Sequence, residues 1–283
     1  MLAMGFRSGA RHSYQRNRVR CWPVRVLLPP SEAKTPGGRG RALERRDPDP
    51  VLGQARERVL DALAALLEGP RNRAAESLAL PASVADDALS ANRIVRSSPT
   101  MPALRRYAGV VYDGLSFGDL EPRAQRLAYR ELVVFSGLFG AVRGDESVPD
   151  YRVPAKANLP GIGIAGTFWR PVLADALSPV LADHMVVDLR SSDYAAMWKP
   201  ARGAAERVIV VRALSRLPSG AWGVISYNSK FAKGRLAAAL VKRRVARRAV
   251  GTADDIAAAW EDATGLRAVT PSANRVEIYT DPA

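Results

Sequence analysis

Residues 24–30 read Val24-Arg25-Val26-Leu27-Leu28-Pro29-Pro30, a short apolar run closed by two prolines. The run predicts a buried β-strand, because proline lacks the N–H that the hydrogen-bond ladder needs and therefore ends the pairing. Residues 185–189, 208–214 and 222–227 are also mainly apolar, which is typical of strands covered on both faces. Helical patterns separate these runs. The sequence therefore predicts a mixed α/β fold with a central sheet flanked by helices.

The segments between the strands have the apolar spacing of helices. Apolar side chains recur every three to four residues in 52–67 and 166–182, and a threonine that can cap a helix opens 252–261. The remaining predicted elements are helices at 74–80, 84–95, 102–107 and 121–129, a turn at 112–114, and strands at 131–135 and 275–280. Because no linker interrupts this pattern after residue 50, we expect residues 23–283 to form one domain.

Residues 1–22 differ from the rest of the chain. They contain five arginines and no acidic residue, and they lack the contiguous apolar core of a secretory signal. We interpret them as a disordered basic extension that arises from a misassigned start site rather than as a functional tail. A mass measurement on the native protein would test this interpretation.

The composition excludes several classes of protein. The single cysteine, Cys21, allows no internal disulfide and no multi-cysteine zinc or iron–sulfur site, and we expect a reducing, cytoplasmic environment. Two histidines cannot build a histidine-rich metal centre. No apolar run approaches the roughly 18 residues that a membrane span requires, so no membrane association is expected.

The net charge of +14 is concentrated in two segments. Residues 1–46 hold eleven basic and two acidic residues, and residues 229–248 hold eight basic residues and no acidic residue. The rest of the chain has a net charge of −3. A solvated helix face usually mixes both signs. The second segment does not, so it favours a polyanion such as nucleic acid as a partner, with a merely solvated face as the alternative.

The loop after the first strand is one candidate for phosphate binding. Lys34 lies there, at the position where α/β proteins often bind ligands. Ser31, Thr35 and the backbone amides of Gly37 and Gly38 offer further hydrogen-bond donors. The order of residues is not that of a Walker loop. A mobile surface lysine is the alternative.

The helix predicted after residue 228 is the second candidate. Four of its cations lie within about 60° of one another on a helical wheel, beside an apolar stripe. These cations are Lys230, Lys233, Arg244 and Arg248. The N–H groups of the first helical turn and the positive end of the helix dipole also favour phosphate. A solubilising face is the alternative.

The acidic residues near the strand at 185–189 are weak candidates for metal ligands. Asp188 and Asp193 bracket the end of this strand. Together with Asp113 or Asp150 they would offer the oxygen ligands that Mg²⁺ or iron prefers. Closeness in sequence is not coordination, and Asp193 is also suited to capping the turn that begins at Ser191. We therefore expect neither a metal nor another cofactor.

Aromatic residues and one glycine-containing loop are further candidates for nucleic-acid contacts. The aromatic residues are Trp169, Trp198, Trp222 and Tyr227, which are able to stack on bases but are predicted to belong to the core. Residues 159–163 resemble the hairpin of a helix-hairpin-helix module. Pro154 argues against the helix that such a module needs before its hairpin, so we predict a plain loop.

Several short strings match a known family in order and spacing. They are Pro30-Ser31-Glu32-Ala33-Lys34-Thr35, Gly109-Val110-Val111-Tyr112-Asp113-Gly114-Leu115, Phe135-Ser136-Gly137-Leu138-Phe139-Gly140-Ala141-Val142-Arg143, Tyr151-Arg152, Phe168-Trp169, Val187-Asp188-Leu189, Ser191-Ser192-Asp193-Tyr194 and Ile225-Ser226-Tyr227-Asn228-Ser229-Lys230-Phe231-Ala232-Lys233-Gly234. From about residue 24 onwards the chain resembles the YaaA family of peroxide stress proteins. In the last string one family cation is absent, and Lys233 stands in place of an arginine.

The resemblance implies a family-specific α/β domain with a basic cleft that binds duplex or branched DNA. It also implies a role in limiting damage by peroxide and unincorporated iron. We therefore predict a non-catalytic DNA-binding protein with little base specificity, because phosphate contacts carry no sequence information. The predicted DNA- and phosphate-binding residues are Ser31, Lys34, Thr35, Arg143, Arg152, Lys230 and Lys233, with Arg244 and Arg248 as outer steering charges.

Two alternatives stay open. An enzyme would use Lys34 and Arg152 to bind a phosphorylated or nucleotide-like small molecule, while Asp188, Asp193 or Ser136 carried out the chemistry. An iron-binding protein is the second alternative. The DNA hypothesis requires Lys34 and the start of the basic helix, about 200 residues apart in sequence, to lie at one place in the folded protein.

Overall fold

A computed structural model describes residues 24–45, 51–181 and 183–281. The extension predicted at residues 1–22 lies outside the described residues. The helices are α1 (Gly53–Leu67), α2 (Arg71–Ser77), α3 (Ala85–Arg93), α4 (Ala103–Arg106), α5 (Val110–Leu115), α6 (Pro122–Glu131), α7 (Ala165–Leu181), α8 (Ser192–Ala195), α9 (Ser226–Val245) and α10 (Ala253–Thr264). The strands are β1 (Val24–Leu28), β2 (Met101–Pro102), β3 (Leu132–Ser136), β4 (Gly140–Arg143), β5 (Ser147–Val148), β6 (Asn158–Leu159), β7 (Gly163–Ile164), β8 (Met185–Asp188), β9 (Val208–Arg216), β10 (Trp222–Gly223), β11 (Ala268–Ser272) and β12 (Arg275–Tyr279).

Eight of the described strands form one sheet, in the order β11-β12-β9-β8-β1-β3-β4, with β10 paired to β9. β1 runs parallel to both of its neighbours, so that Val26 lies opposite Val187 of β8 and Leu132 of β3. β9 and β12 continue the parallel part, whereas β4, β10 and β11 pair antiparallel. The predicted mixed α/β fold with a central sheet flanked by helices is confirmed.

The order of the strands reverses its direction at β1. The chain passes from β1 to β3 on one side and later returns to β8 on the other side. Where successive connections leave a parallel sheet in opposite directions, the loops after the strands diverge and leave room for a ligand. We call this edge, formed by the ends of β1, β3 and β8, the carboxyl edge.

Helices complete the core. α9 contacts β9 and packs with α5, α6 and α10, while α7 contacts β4 and α1 contacts α3. The largest buried side chains include Phe135 of β3, Trp169 of α7 and Trp260 of α10. Among the described residues, none of the helices combines the length and the apolarity needed to cross a membrane.

Most predicted elements are present with ends shifted by a few residues, but three predictions are wrong, the plain loop at 159–163 among them. The predicted turn at 112–114 is part of α5, and the predicted strand at 222–227 is confined to β10, because α9 begins at Ser226. Thr252 caps α10 as predicted, and its hydroxyl accepts a hydrogen bond from the backbone N–H of Asp255. Residues 158–164 form a small β-hairpin.

A close approach of two helices requires glycine at position 114. A Cβ atom on Gly114 would overlap the carbonyl oxygen of Phe231 in α9, and a Cβ atom on Gly234 would overlap that of Val111 in α5. Only glycine allows two backbones to approach so closely. The two glycines therefore fix the first half of α9 against α5. Helix α5 begins shortly after Tyr107, which pairs with Lys34.

Candidate functional site

The residues after β1 form a loop held in place by a buried arginine. The guanidinium of Arg106, which is fully buried, donates hydrogen bonds to the carbonyl oxygens of Thr35 at 2.5 Å, Gly37 at 2.7 Å, Pro99 at 3.0 Å and Val148 at 3.2 Å. The backbone N–H of Thr35 donates to the carbonyl of Arg106 in return. Arg106 thus shapes the loop that carries Lys34. This role of Arg106 was not predicted from the sequence, since buried arginines are rare.

Lys34 turns inward from this loop. Its Nζ donates to the carbonyl oxygen of Ser31 at 3.1 Å and lies 4.3 Å from the ring centre of Tyr151 and 5.5 Å from that of Tyr107. Burial lowers the pKa of Lys34 to about 8, against the opposing attraction of Glu32 and Asp150. The lysine therefore changes its charge close to physiological pH.

A chain of buried hydroxyl groups lies beside Lys34. The Tyr151 hydroxyl is 2.5 Å from the Tyr107 hydroxyl and 2.6 Å from Ser136 Oγ at the end of β3. Burial raises the pKa of Tyr107 to about 12 and that of Tyr151 well above its ordinary value. Both phenols therefore keep their protons at neutral pH. Sequence reasoning gave these tyrosines no role of their own, although Tyr151 lies in one of the family strings.

Arg152 joins the same edge through the Lys34 loop. Its Nε donates to Glu32 Oε2 at 2.7 Å, and its backbone is fixed on both sides by the amide of Asn92, with distances of 2.8 and 3.0 Å. The Arg152 side chain is 22% exposed, so part of the guanidinium faces solvent. It stands next to Lys34 in space, and its charge helps to lower the pKa of that lysine.

The end of β8 carries a buried ion pair. Arg190 donates from Nη2 to Asp188 Oδ2 at 2.7 Å and from Nε to Asp188 Oδ1 at 2.9 Å, and the Arg190 side chain is only 2% exposed. Arg190 also donates to the carbonyl oxygens of Tyr194 and Trp198. The pair therefore organises the loop after β8. The ion pair engages the Asp188 carboxylate, which the metal hypothesis had treated as a ligand and the enzyme hypothesis as a catalytic group.

Lys233 connects α9 to this loop. Its Nζ donates to the carbonyl oxygen of Arg190 at 3.0 Å, and burial lowers the pKa of Lys233 despite the attraction of Asp188. The Leu189 N–H donates to the Leu27 carbonyl, so the loop after β8 starts at the end of β1. The first turns of α9 and the Lys34 loop therefore border the same edge of the sheet.

The outer face at the start of α9 is open. Lys230 is exposed, Tyr227 is 64% exposed and Phe231 is 37% exposed. The prediction that Tyr227 belongs to the core is wrong, because its side chain points away from the sheet. Trp169 and Trp198 are core residues as predicted, and Trp222 packs on Tyr279.

Three predicted phosphate ligands lie elsewhere. Arg143 ends β4 opposite Val133, near the start of β3, and pairs with Asp145. Arg244 donates to Glu131, which directly precedes β3. Arg248 follows α9 and pairs with Asp262. Because a helix of this length spans about 30 Å, Arg244 and Arg248 are far from Lys230.

The remaining predicted ligands lie in the loop after β1, beside that loop, or in the first turns of α9. They are Ser31, Lys34, Thr35, Arg152, Lys230 and Lys233. Within the part of the chain that the structure describes, no cluster of histidine, cysteine and carboxylate side chains suits a metal ion. What the edge offers is ammonium groups, hydroxyl donors and a guanidinium that is paired with Glu32.

Comparison with known proteins identifies the family. A UPF0246 protein of Streptomyces coelicolor is 40% identical over 217 residues, which cover 76% of this chain and 82% of the relative. A UPF0246 protein of Corynebacterium efficiens is 36% identical over 237 residues, 82% of this chain and 91% of the relative. A family model described as peroxide stress protein YaaA matches residues 24–263. The chain thus belongs to the YaaA family of peroxide stress proteins, as the strings in its sequence had indicated.

Proposed function

We propose that this protein binds DNA through phosphate contacts at the carboxyl edge and serves the peroxide stress response in this way. The observation that supports the proposal is that Lys34 and Arg152 lie at the loop after β1 and Lys233 contacts the loop after β8, with Lys230 one turn earlier on α9. Phosphate oxygens accept hydrogen bonds from such groups without regard to base sequence. A net charge of +14 attracts a polyanion over long distances. We also propose that the protein acts in the cytoplasm and that its role is non-catalytic.

The two ends of α9 provide a matched test. Lys230 and Lys242 are both exposed lysines on this helix, one at the carboxyl edge and one at the opposite end. We expect Lys230→Ala to weaken duplex binding and to reduce the slope of log K against log[salt] by about 0.9, the value for one phosphate contact. Lys242→Ala should leave both quantities near those of the unaltered protein. Equal effects of the two substitutions would contradict the proposed location.

The pKa of Lys34 predicts how binding depends on pH. The lowered pKa means that Lys34 loses its positive charge as pH rises through about 8, whereas an arginine stays charged. We expect duplex affinity to fall between pH 7 and pH 9 and Lys34→Arg to flatten this dependence. Fluorescence anisotropy at constant ionic strength would measure both. A pH profile that is the same for both proteins would mean that Lys34 makes no phosphate contact.

At the carboxyl edge, the groups that the enzyme hypothesis had assigned to the chemistry are engaged in other contacts. Asp188 is held by Arg190, and the hydroxyl of Ser136 is engaged by Tyr151 and by two backbone N–H groups. The reactive group favoured by its surroundings is the amine of Lys34. Chemistry at this edge would therefore be chemistry of an amine rather than of a carboxylate.

A further inference from the structure

Lys34 differs from a lysine that only attracts phosphate. Within the described residues no carboxylate oxygen lies within 4.0 Å of its Nζ, which instead contacts a backbone carbonyl and the face of Tyr151. Phosphate-binding lysines act as solvated point charges. A buried amine with a low pKa is the form of lysine that attacks carbonyl compounds. The lowered pKa of Lys34 leaves its amine uncharged more often near neutral pH than the amine of an ordinary lysine.

The directions of the hydrogen bonds beside Lys34 can be assigned. Ser136 Oγ accepts from the N–H groups of Leu138 at 3.2 Å and Phe139 at 3.0 Å, which uses both of its lone pairs. Its own proton must then go to the Tyr151 hydroxyl, and the Tyr151 proton must go to Tyr107. The chain of donors therefore ends at Tyr107.

The proton of the Tyr107 hydroxyl is left without an acceptor among the described residues. Tyr107 is 2% exposed, and its hydroxyl interacts with Tyr151 and with Ser136, whose acceptor lone pairs are already used by backbone N–H groups. A buried donor without an acceptor costs free energy. The arrangement is therefore suited to a ligand that brings an oxygen atom into the cluster formed by Lys34, Tyr107, Tyr151 and Ser136.

We propose that Lys34 forms a reversible imine with the open-chain aldehyde of a pentose phosphate, while Tyr107 donates a hydrogen bond to the aldehyde oxygen. One source of this sugar is DNA, in which a nucleotide that has lost its base carries such an aldehyde at C1′. For this source the proposal rests on the proposed function. A free pentose phosphate has the same chemistry. Arg152 lies next to Lys34, beside Glu32 of the same loop, and would hold the phosphate.

The reaction needs no oxidant, reductant or further reactant. The lone pair of Nζ forms a bond to the aldehyde carbon, and the C=O π electrons move to oxygen, which takes a proton from Tyr107. The nitrogen gives a proton back to the hydroxyl chain. Loss of the hydroxyl group with the second N–H proton then breaks the C–O bond and forms C=N. The products are the imine and one water molecule.

Reductive trapping tests the proposal on the full chain. The protein is incubated with borohydride and one of three probes: a duplex with a single abasic site, the same duplex intact, or 2-deoxyribose 5-phosphate. We expect a stable adduct with the abasic duplex or the sugar phosphate, located on Lys34 by peptide mass spectrometry, and no adduct with the intact duplex. Adduct with the abasic duplex alone assigns the source to DNA, and adduct with the sugar phosphate alone assigns it to a free metabolite.

Variants sharpen the test. Lys34→Arg should abolish the adduct, and Lys156→Arg, at an exposed lysine four residues after Arg152, should not change it. Tyr107→Phe should slow trapping by about tenfold or more, since a positioned proton donor typically contributes at least that much. The trapping rate of the unaltered protein should rise from pH 7 to pH 9, opposite to the expected trend in duplex affinity.

The outcomes separate this proposal from the proposed function. Binding of intact duplex without an adduct from either aldehyde would overturn the imine and leave DNA binding intact. An adduct on Lys34 with the sugar phosphate but no duplex binding would support the imine and overturn DNA binding. Adducts spread over exposed lysines and unchanged in Lys34→Arg would also overturn the imine. Mapping in the unaltered protein keeps the test valid if a variant does not fold.

Discussion

Gly234→Ala is expected to destabilise the protein strongly, although alanine is the better helix former. In an ordinary helix interior the substitution would gain up to about 1 kcal/mol. Here the new Cβ atom would overlap the carbonyl oxygen of Val111 and lie 2.7 Å from the backbone nitrogen of Leu115. Backbone atoms cannot move aside as a side-chain end can, so α5 and α9 must separate. We expect a loss of about 3 kcal/mol, at the upper end of overpacking effects.

Urea denaturation would measure this loss, with Gly118→Ala as its control. A Cβ atom on Gly118 would meet no atom within 4 Å, so this variant should remain within about 0.5 kcal/mol of the unaltered protein. If Gly234→Ala were as stable as Gly118→Ala, the close contact between α5 and α9 would be contradicted. The position of Lys230 and Lys233 relative to the Lys34 loop would then lose its support.

Asp188→Asn is expected to cost about 3 kcal/mol or more. The substitution leaves the positive charge of Arg190 buried without its counter-charge, and the Arg190 side chain is only 2% exposed. Since Arg190 also holds the loop that receives Lys233, we expect weaker duplex binding together with the loss of stability. Thermal or urea unfolding would measure the first effect and anisotropy the second.

Asp193→Asn is the matched control for this experiment. Asp193 is exposed and lies five residues further along the chain, so the same change of charge there should alter stability by no more than about 0.5 kcal/mol. Similar stabilities of the two variants would show that the Asp188–Arg190 pair does not organise the loop. A turnover activity lost only in Asp188→Asn, without loss of stability, would favour the enzyme hypothesis instead.

The fold was predictable where local chemistry decides it. Pro29 and Pro30 end β1, and the apolar runs at β8 and β9 are buried as their composition indicates. The helix at Gly114 was not predictable, because the cause is a contact with Phe231, more than 100 residues away in sequence. The start of α9 at Ser226 was missed because the residues before it are as apolar as a strand.

The site was predictable only where local sequence determines the position of a residue. The loop position of Lys34 follows from the end of β1, but its contact with the tyrosine rings depends on tertiary structure. A helical wheel groups Lys230 with Arg244 by angle alone, whereas the axial distance along α9 separates them by about 20 Å. The roles of Arg106 and of the Asp188–Arg190 pair required the three-dimensional structure, since partners across the chain determine both.

The salt dependence of duplex binding tests the central proposal most directly. Four cations at the carboxyl edge, Lys34, Arg152, Lys230 and Lys233, should release counterions from about four phosphates. Affinity for two unrelated duplex sequences, measured from 50 to 300 mM salt, should then fall with a slope of log K against log[salt] of about −3.6 or steeper. The slope should be the same for both sequences. Affinity that does not change with salt concentration would contradict phosphate binding at this edge.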